Sequence, residues 1–458
     1  MKEQLTAIFD IGKTNKKFFL FDRAFKEVYR EYTRIEEITD ADGYPTENLE
    51  ALQDWLKTTF DRILSNKKYE IGAINFSSYG ASLVHLDHQG QAVTPLYNYT
   101  KPYPTDLLDE FFSRYGPEDL FCSATGTSNA GMLNSGMQLF WLKRKKPELF
   151  EKIRYSLHLP QYLSFLFTGI PLSEYTSIGC HTALWDFKRG DYHSWVGREG
   201  LEGLFPTVVS TETSINMTCL GKRRMKIGVG IHDSSAALIP YIRSLNKPFI
   251  LLSTGTWSIA LNPFTNGELS PEDVGTGCIN YMRINGQPVR AARLFLGNEY
   301  NLQIRELSDH YQVSEDYHKS VAYQPEILKK IKSDYRPMFS WKSLEATDAP
   351  RETIWGHPDF DTAYHQLMFE LVALQARSIR QALGNSEIKR LYIDGGFTDN
   401  QVFLELLGQA LPFMKLRTTK ASLGSALGAA IAISGKKLTS DFLKENYALR
   451  KHIPKILN

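Results

Sequence analysis

The chain has 458 residues, more than one ordinary core organises, so two domains are expected. Apolar residues make up 42% and charged residues 23%, the balance of a globular protein, and a net charge of +2 supplies no field that would gather nucleic acid or an anionic membrane. Four scattered cysteines (Cys122, Cys180, Cys219, Cys278) have neither metal-ligand spacing nor a disulfide framework; with no signal-peptide core and no bilayer-length apolar run, a reduced, cytoplasmic setting is expected.

In chain order, "AIFDIGKTNKKFFLFD" reads as a β-hairpin, with an apolar strand over residues 5–9 and a return strand over 18–21. Residues 47–64 have helical spacing. "IGAINFSS" is strand-like, and "LVHLD" is a further strand closed by the turn at His88 to Gly90. Residues 103–221 are expected to be mostly helix and loop, with "GMQLFWLKRKK" and "LPQYLSFLFTG" as helices and the basic run Lys143 to Lys146 as solvated surface. "IGVGIHDSSAALIPYI" places a strand before His232 and a helix after Asp233. "PFILLSTGTWSIALNPF" then repeats the opening pattern of apolar strand, polar turn and apolar strand. "RLYIDGGFTDNQVFLELLGQAL" is strand, glycine turn and helix, and "SLGSALGAAIAISG" (residues 422–435) is a small-residue helix suited to close packing. The second half begins as the first did. This suggests two related α/β domains, residues 1–244 and 245–458, joined near Ser244 to Lys247.

Several turns carry groups suited to phosphate. Gly12 lets backbone N–H groups approach closely, Thr14 adds a hydroxyl, and Lys17 adds a positive charge. Asp10, at the strand end, could hold Mg²⁺ through water. Taken alone, an ordinary hairpin with solvated lysines accounts for the same residues, and the P-loop spacing is absent. Gly255 and Thr256 form a second hydroxyl-rich turn, itself readable as a plain tight turn. Gly395 and Gly396 would let a flat ligand lie on the backbone. Asn400 suits either a purine edge or a helix cap. Asp233, between these loops, is the candidate catalytic base, with an N-cap as its alternative; His232 beside it is a packed neighbour or a substrate contact.

Together these stretches resemble the FGGY carbohydrate kinases of the actin-like ATPase superfamily. "DIGKTNKK" is similar to the first phosphate motif, "GIHDSSAA" to the catalytic-aspartate motif, "STGTWS" to the second phosphate loop and "DGGFTDN" to the adenosine motif. The wording of "PLSEYTSIGCHTALWD" and "LSTGTWS" is closest to the rhamnulokinase branch. The chain departs from the family on the sugar side: near Tyr99 and Lys101 in "YNYTKPYP", at Gln138 in place of a lysine, and in "LPQYL", which lacks an aspartate.

The resemblance implies two ribonuclease H-like domains with an interdomain cleft, ATP mainly on the C-terminal domain and a small-molecule sugar mainly on the N-terminal one. It implies a kinase in which Asp233 accepts the proton of a sugar hydroxyl. Gly12, Thr14, Lys17, Gly255 and Thr256 hold phosphates, Asp10 positions Mg²⁺, and Ser78, Gly80, Ala81, Tyr99, His232 and Asp233 contact the sugar. A ketose of the L-rhamnulose or L-fuculose type leads, with another ketose or a polyol close behind. No nucleic acid or membrane partner is expected, and the oligomeric state is open, a homodimer included. Two other classes stay open: an actin-like or chaperone-like ATPase acting on a protein, and a non-catalytic sugar sensor.

Overall fold

The computed structural model describes residues 3–219, 223–344, 356–420 and 423–454, and it opens on the expected hairpin. Strands β1 (Gln4–Ile11) and β2 (Lys16–Phe21) run antiparallel, with Asp10 opposite Lys17. Strand β3 (Glu27–Thr33) continues the meander beside β2. On the other side of β1 lies β4 (Glu70–Ser78), parallel to it, with Asp10 level with Ser77 and Ile11 with Ser78. A hairpin of β5 (Ser214–Cys219) and β6 (Arg223–Gly228) extends the sheet next to β4, and the short β7 (Ile231–His232) also pairs with β4, opposite Ser77 and Ser78. Residues 7–11 of β1 are buried without alternation, as expected of a central strand covered on both faces. Phe9 stacks on Phe76 at 6.1 Å and packs against Phe18 at 4.8 Å, which forms the centre of this core.

The second set of strands repeats the plan. Strands β8 (Ile250–Thr254) and β9 (Ser258–Asn262) form an antiparallel hairpin, and β10 (Pro288–Leu294) continues beside β9. Strand β11 (Arg390–Gly395) lies parallel to β8, then β12 (Lys415–Thr418) parallel to β11, and β13 (Arg450–Lys451) closes the edge. The internal echo in the sequence is therefore an echo of topology.

The contacts divide the chain into two compact units. One holds Met1–Leu245, Thr265–Val289 and Leu423–Ser440; the other holds Asn246–Phe264, Arg290–Ser422 and Asp441–Asn458. The small-residue helix, observed as Gly424–Ser434, thus belongs with the first unit; Ser422 lies outside the described residues. It packs on the helix Asp233–Ser244, so closely that a Cβ on Gly428 would stand 1.9 Å from the Ala236 carbonyl oxygen. Asn75 of β4 donates to the Ala429 carbonyl (2.9 Å) and accepts from the Gly230 N–H (3.1 Å), fastening helix and sheet together.

One expectation is refined and one corrected. Residues 103–221 are mostly helix and loop but also carry short strands, among them Tyr155–His158 and Ser214–Cys219. In the latter, Ile215 and Met217 are half-buried while Asn216 and Thr218 are exposed, a period of two that a short segment barely displays. The basic run is ion-paired: Lys143 and Arg144 meet Glu199 (each 2.8 Å), Lys145 meets Asp106 (2.9 Å) and Lys146 meets Asp42 (2.8 Å). Among the described residues, no helix is long and apolar enough to cross a membrane.

The helix–helix approach at Gly428 makes a testable demand. Gly428→Ala gains about 1 kcal/mol of helix propensity but drives a methyl into backbone, where overpacking costs about 1–3 kcal/mol or more. The urea midpoint should fall; an equal or higher midpoint would contradict the contact.

Candidate functional site

The strand ends of the first unit gather the chemistry. Because β1, β4 and β7 are parallel and in register, Asp10, Ser77, Ser78 and His232 arrive at one edge of the sheet. Asp10 is buried. Ser425, from the small-residue helix, donates to both its carboxylate oxygens at 3.0 Å, and Lys17 Nζ lies 3.9 Å away. Burial pushes the Asp10 carboxyl up to about 6; Lys17 opposes this, the Asp233 charge adds to it, and Ser425 and Ser77 oppose it.

Asp233 sits differently. The helix Asp233–Ser244 starts at it, with His232 in the capping position, and its side chain is 35% exposed. Its Oδ1 accepts from the Ser234 N–H (2.5 Å) and Oγ (3.2 Å). His232 is buried, and its Nε2 lies 3.3 Å from Asp233 Oδ1 and 3.2 Å from Cys180 Sγ. Burial lowers the His232 pKa, against the charges of Asp233 and Glu174, so the ring is held neutral. Its Nδ1 is buried with no hydrogen-bond partner among the described residues.

Gly80 lies against that ring, since a Cβ there would be 3.0 Å from His232 Cδ2. Ala81 has φ 62°, a left-handed conformation that costs a non-glycine residue about 1 kcal/mol. Gln138, buried, donates to the Ala81 carbonyl (2.9 Å) and the Met132 carbonyl (2.7 Å) and so holds that turn. Tyr99 meets Tyr79 edge-on at 6.2 Å. Burial raises the Tyr99 pKa, while the charges of Lys13 and Asp233 act on it in opposite directions. Lys101, by contrast, is buried in ion pairs with Asp40 and Asp42 (each 2.6 Å).

In the hairpin loop, the Gly12 N–H closes a turn on the Asn15 carbonyl (3.0 Å), and Thr14 is exposed. The first unit thus brings Asp10, Lys17, Ser78, Gly80, Ala81, Tyr99, His232 and Asp233 into one neighbourhood. Ser425 joins them from more than 400 residues away in the chain.

The second unit carries its own loops. The Gly255 N–H closes a turn on the Trp257 carbonyl (2.9 Å), leaving Gly255 and Thr256 exposed between β8 and β9. Strand pairing sets Thr254 opposite Gly395. Thr254 Oγ1 donates to the Asp394 carbonyl (2.6 Å) and accepts from the Phe397 N–H (3.1 Å). Gly395 has φ +94°, and a Cβ there would lie 1.8 Å from the Thr254 carbonyl oxygen, so only glycine fits. Gly396 faces open space, its nearest atom 4.0 Å from a Cβ. Asn400 caps the helix Gln401–Ala410 through the Phe403 N–H (3.0 Å) and donates to Tyr364 Oη (2.8 Å); one amide N–H and one lone pair remain.

Among the described residues no group of three or more His, Cys, Asp or Glu side chains could hold a metal. The Asp10 carboxylate, buried and acted on by Asp233, still fits Mg²⁺, which takes one or two carboxylates and fills its remaining positions with water and phosphate oxygens.

Comparison with known proteins gives the following. The model described as "FGGY family of carbohydrate kinases, N-terminal domain" matches residues 5–231, and "Carbohydrate kinase FGGY, C-terminal domain" matches residues 246–440. Among solved structures, a carbohydrate kinase from Novosphingobium aromaticivorans is 22% identical, with a TM-score of 0.77 over 98% of this chain and 96% of its own. A xylulose kinase from Rhodospirillum rubrum is 15% identical, with a TM-score of 0.80 over 99% and 94%. A Plasmodium falciparum glycerol kinase with ADP is 15% identical, with a TM-score of 0.71 over 94% and 89%. These likenesses establish the fold, the two-domain α/β fold that these kinases share.

The raised pKa of Asp10 has a consequence for the chain without ligands. The folded state holds this proton more tightly than the unfolded state, so the stabilisation is full below about 4 and is lost as pH rises through about 6. Asp10→Asn, which stays neutral, should melt above wild type at pH 8, and the gap should close towards pH 4. A variant that melts below wild type at pH 8 would contradict the buried, unfavourably ionised carboxylate.

Proposed function

The chain belongs to the FGGY family of carbohydrate kinases and is an ATP-dependent carbohydrate kinase; from that premise we propose that it phosphorylates a ketose of the L-rhamnulose or L-fuculose type on a hydroxyl deprotonated by Asp233. The observation that carries this reading is the contrast between two carboxylates of one site. Asp10 is buried, while Asp233 is partly open at a helix start. A partly open carboxylate can accept a proton late in transfer, when the hydroxyl has become acidic.

The first unit, residues 1–245 with 265–289 and 423–440, then acts as the sugar-binding domain and the second as the nucleotide-binding domain. In the first, Ser78, Gly80, Ala81 and Tyr99 shape the sugar pocket. His232, held neutral, orients the Asp233 carboxylate from behind and lines the pocket floor. Gly12, Thr14 and Lys17 meet phosphate oxygens, and Lys17 also moderates the charge of Asp10. In the second, the exposed Gly255–Thr256 turn, held by the Gly255 N–H on the Trp257 carbonyl, offers the Thr256 hydroxyl to phosphate, and Gly395, Gly396 and Asn400 face the adenosine. Asp10 would hold Mg²⁺, through water, and the bound ion would neutralise charge on the transferring phosphoryl group. The choice of ketose is supported by the wording of "PLSEYTSIGCHTALWD" and "LSTGTWS".

The test is an ATP-consumption assay on a panel of ketoses, aldoses and polyols, run with wild type and Asp233→Asn. A ketose should give the highest kcat/KM. The variant should lose roughly 10²–10⁴ in kcat, with ATP affinity little changed. Near-wild-type kcat in the variant would remove Asp233 from the chemistry, and ATP turnover indifferent to every sugar would contradict the assignment of an acceptor.

A further inference from the structure

Lys13 has no part in the reading above, although it stands between Gly12 and Thr14 in the hairpin loop, where a lysine would ordinarily be taken for a phosphate contact. Its ammonium is turned elsewhere. Nζ lies 2.5 Å from Glu37 Oε1 and 2.9 Å from Glu47 Oε1. Glu47 is buried and also meets the fully buried Lys16 at 3.1 Å, so it is fixed from two sides. Glu37 is more open, and Asn98 Nδ2 donates to it at 3.2 Å. Held in this way, Lys13 Nζ stands 6.0 Å from the ring centre of Tyr79 and 5.9 Å from that of Tyr99, and Tyr99 is the side chain on which Asp233 also acts.

An ammonium has three N–H donors. Two are committed to Glu37 and Glu47; the third has no hydrogen-bond partner among the described residues, and the side chain is 25% exposed. A donor fixed by two carboxylates is pre-organised, so an incoming oxygen need not order it. We propose that Lys13 is a specificity-determining residue for the acceptor: its third N–H donates to an oxygen of the sugar away from the reacting hydroxyl, on the Tyr99 side of the pocket. The inference rests on the kinase reading of this site. It also narrows the substrate class. Lys13 and Lys16 are matched by Glu37 and Glu47, and Lys17 by Asp10, which leaves Asp233, with the buried Glu174 whose charge also acts on His232, as the excess charge. Such a pocket suits a neutral polyhydroxy sugar and repels a sugar acid.

The experiment is steady-state kinetics of the full chain with L-rhamnulose, L-fuculose, D-xylulose and D-gluconate, each at saturating ATP, and with ATP at saturating sugar. Lys13→Met, which keeps the stem and removes the donors, should raise the KM of the best ketose by roughly tenfold to a hundredfold, the cost of one charge-assisted hydrogen bond, while the ATP KM stays within about twofold. Glu37→Gln, a change at a partly exposed position, should raise the sugar KM by a smaller factor and decides the matter if Lys13→Met does not fold. D-gluconate should be the poorest acceptor. A raised ATP KM with an unchanged sugar KM would make Lys13 a phosphate ligand and overturn the inference, as would unchanged kinetics in both variants or D-gluconate as the preferred acceptor. If wild type phosphorylates none of the three ketoses, the ketose reading itself fails and takes this inference with it; the variants fail it alone.

Discussion

A carboxylate kept away from water organises the first unit. Asp10 ends a central strand, and burial, against the opposing charge of Lys17, pushes its carboxyl up to about 6. An ionised acid in such a place must be met by hydrogen bonds and positive charge. The fold answers with register and close packing. Parallel pairing puts Ser77 level with Asp10, and antiparallel pairing puts Lys17 opposite it. The approach of Gly428 to Ala236 seats the small-residue helix so that Ser425 reaches both carboxylate oxygens. Any of these taken away leaves the charge less compensated. The arrangement therefore favours a cation facing Asp10, which the kinase reading supplies as the nucleotide's metal ion.

The second carboxylate is placed by the same sheet and treated in the opposite way. Strand β7 brings His232 to the level of Ser78, and the helix begins at the next residue. Asp233 thereby keeps access to solvent, a neutral imidazole on one flank and helix N–H groups on the other. Two acids in one site with different surroundings can divide the work between charge and proton transfer. The cluster of Lys13, Lys16, Glu37 and Glu47 adds a third element, a polar wall that is already balanced in charge before a sugar arrives.

What the sequence made legible follows from how local each signal is. Both hairpins, the strand before His232 and the helix after Asp233 are visible because period, glycine turns and apolar runs lie within a few residues of one another. The motif order carried the family. Asn400 showed its capping ability in its residue type alone. The rest depended on tertiary neighbours. Ser425 gives no sign that it serves Asp10, and the return of Gly424–Ser434 to the first unit is a matter of packing. The direction of Lys13 is set by Glu37 and Glu47, neither adjacent in sequence. Lys101, at a position where the family carries sugar contacts, is tied to Asp40 and Asp42. The strand Ser214–Cys219 was missed because its alternation is short and its apolar residues are only half-buried.

The most direct test of the central claim, that Asp10 and Asp233 divide cation binding from proton acceptance, is a crystal structure of the chain with a ketose and a non-hydrolysable ATP analogue with Mg²⁺. The account predicts one sugar hydroxyl within hydrogen-bond distance of Asp233 and the metal's water shell against Asp10. A sugar hydroxyl seated on Asp10, or a metal ion bound directly by Asp233 with no hydroxyl near it, would contradict the account.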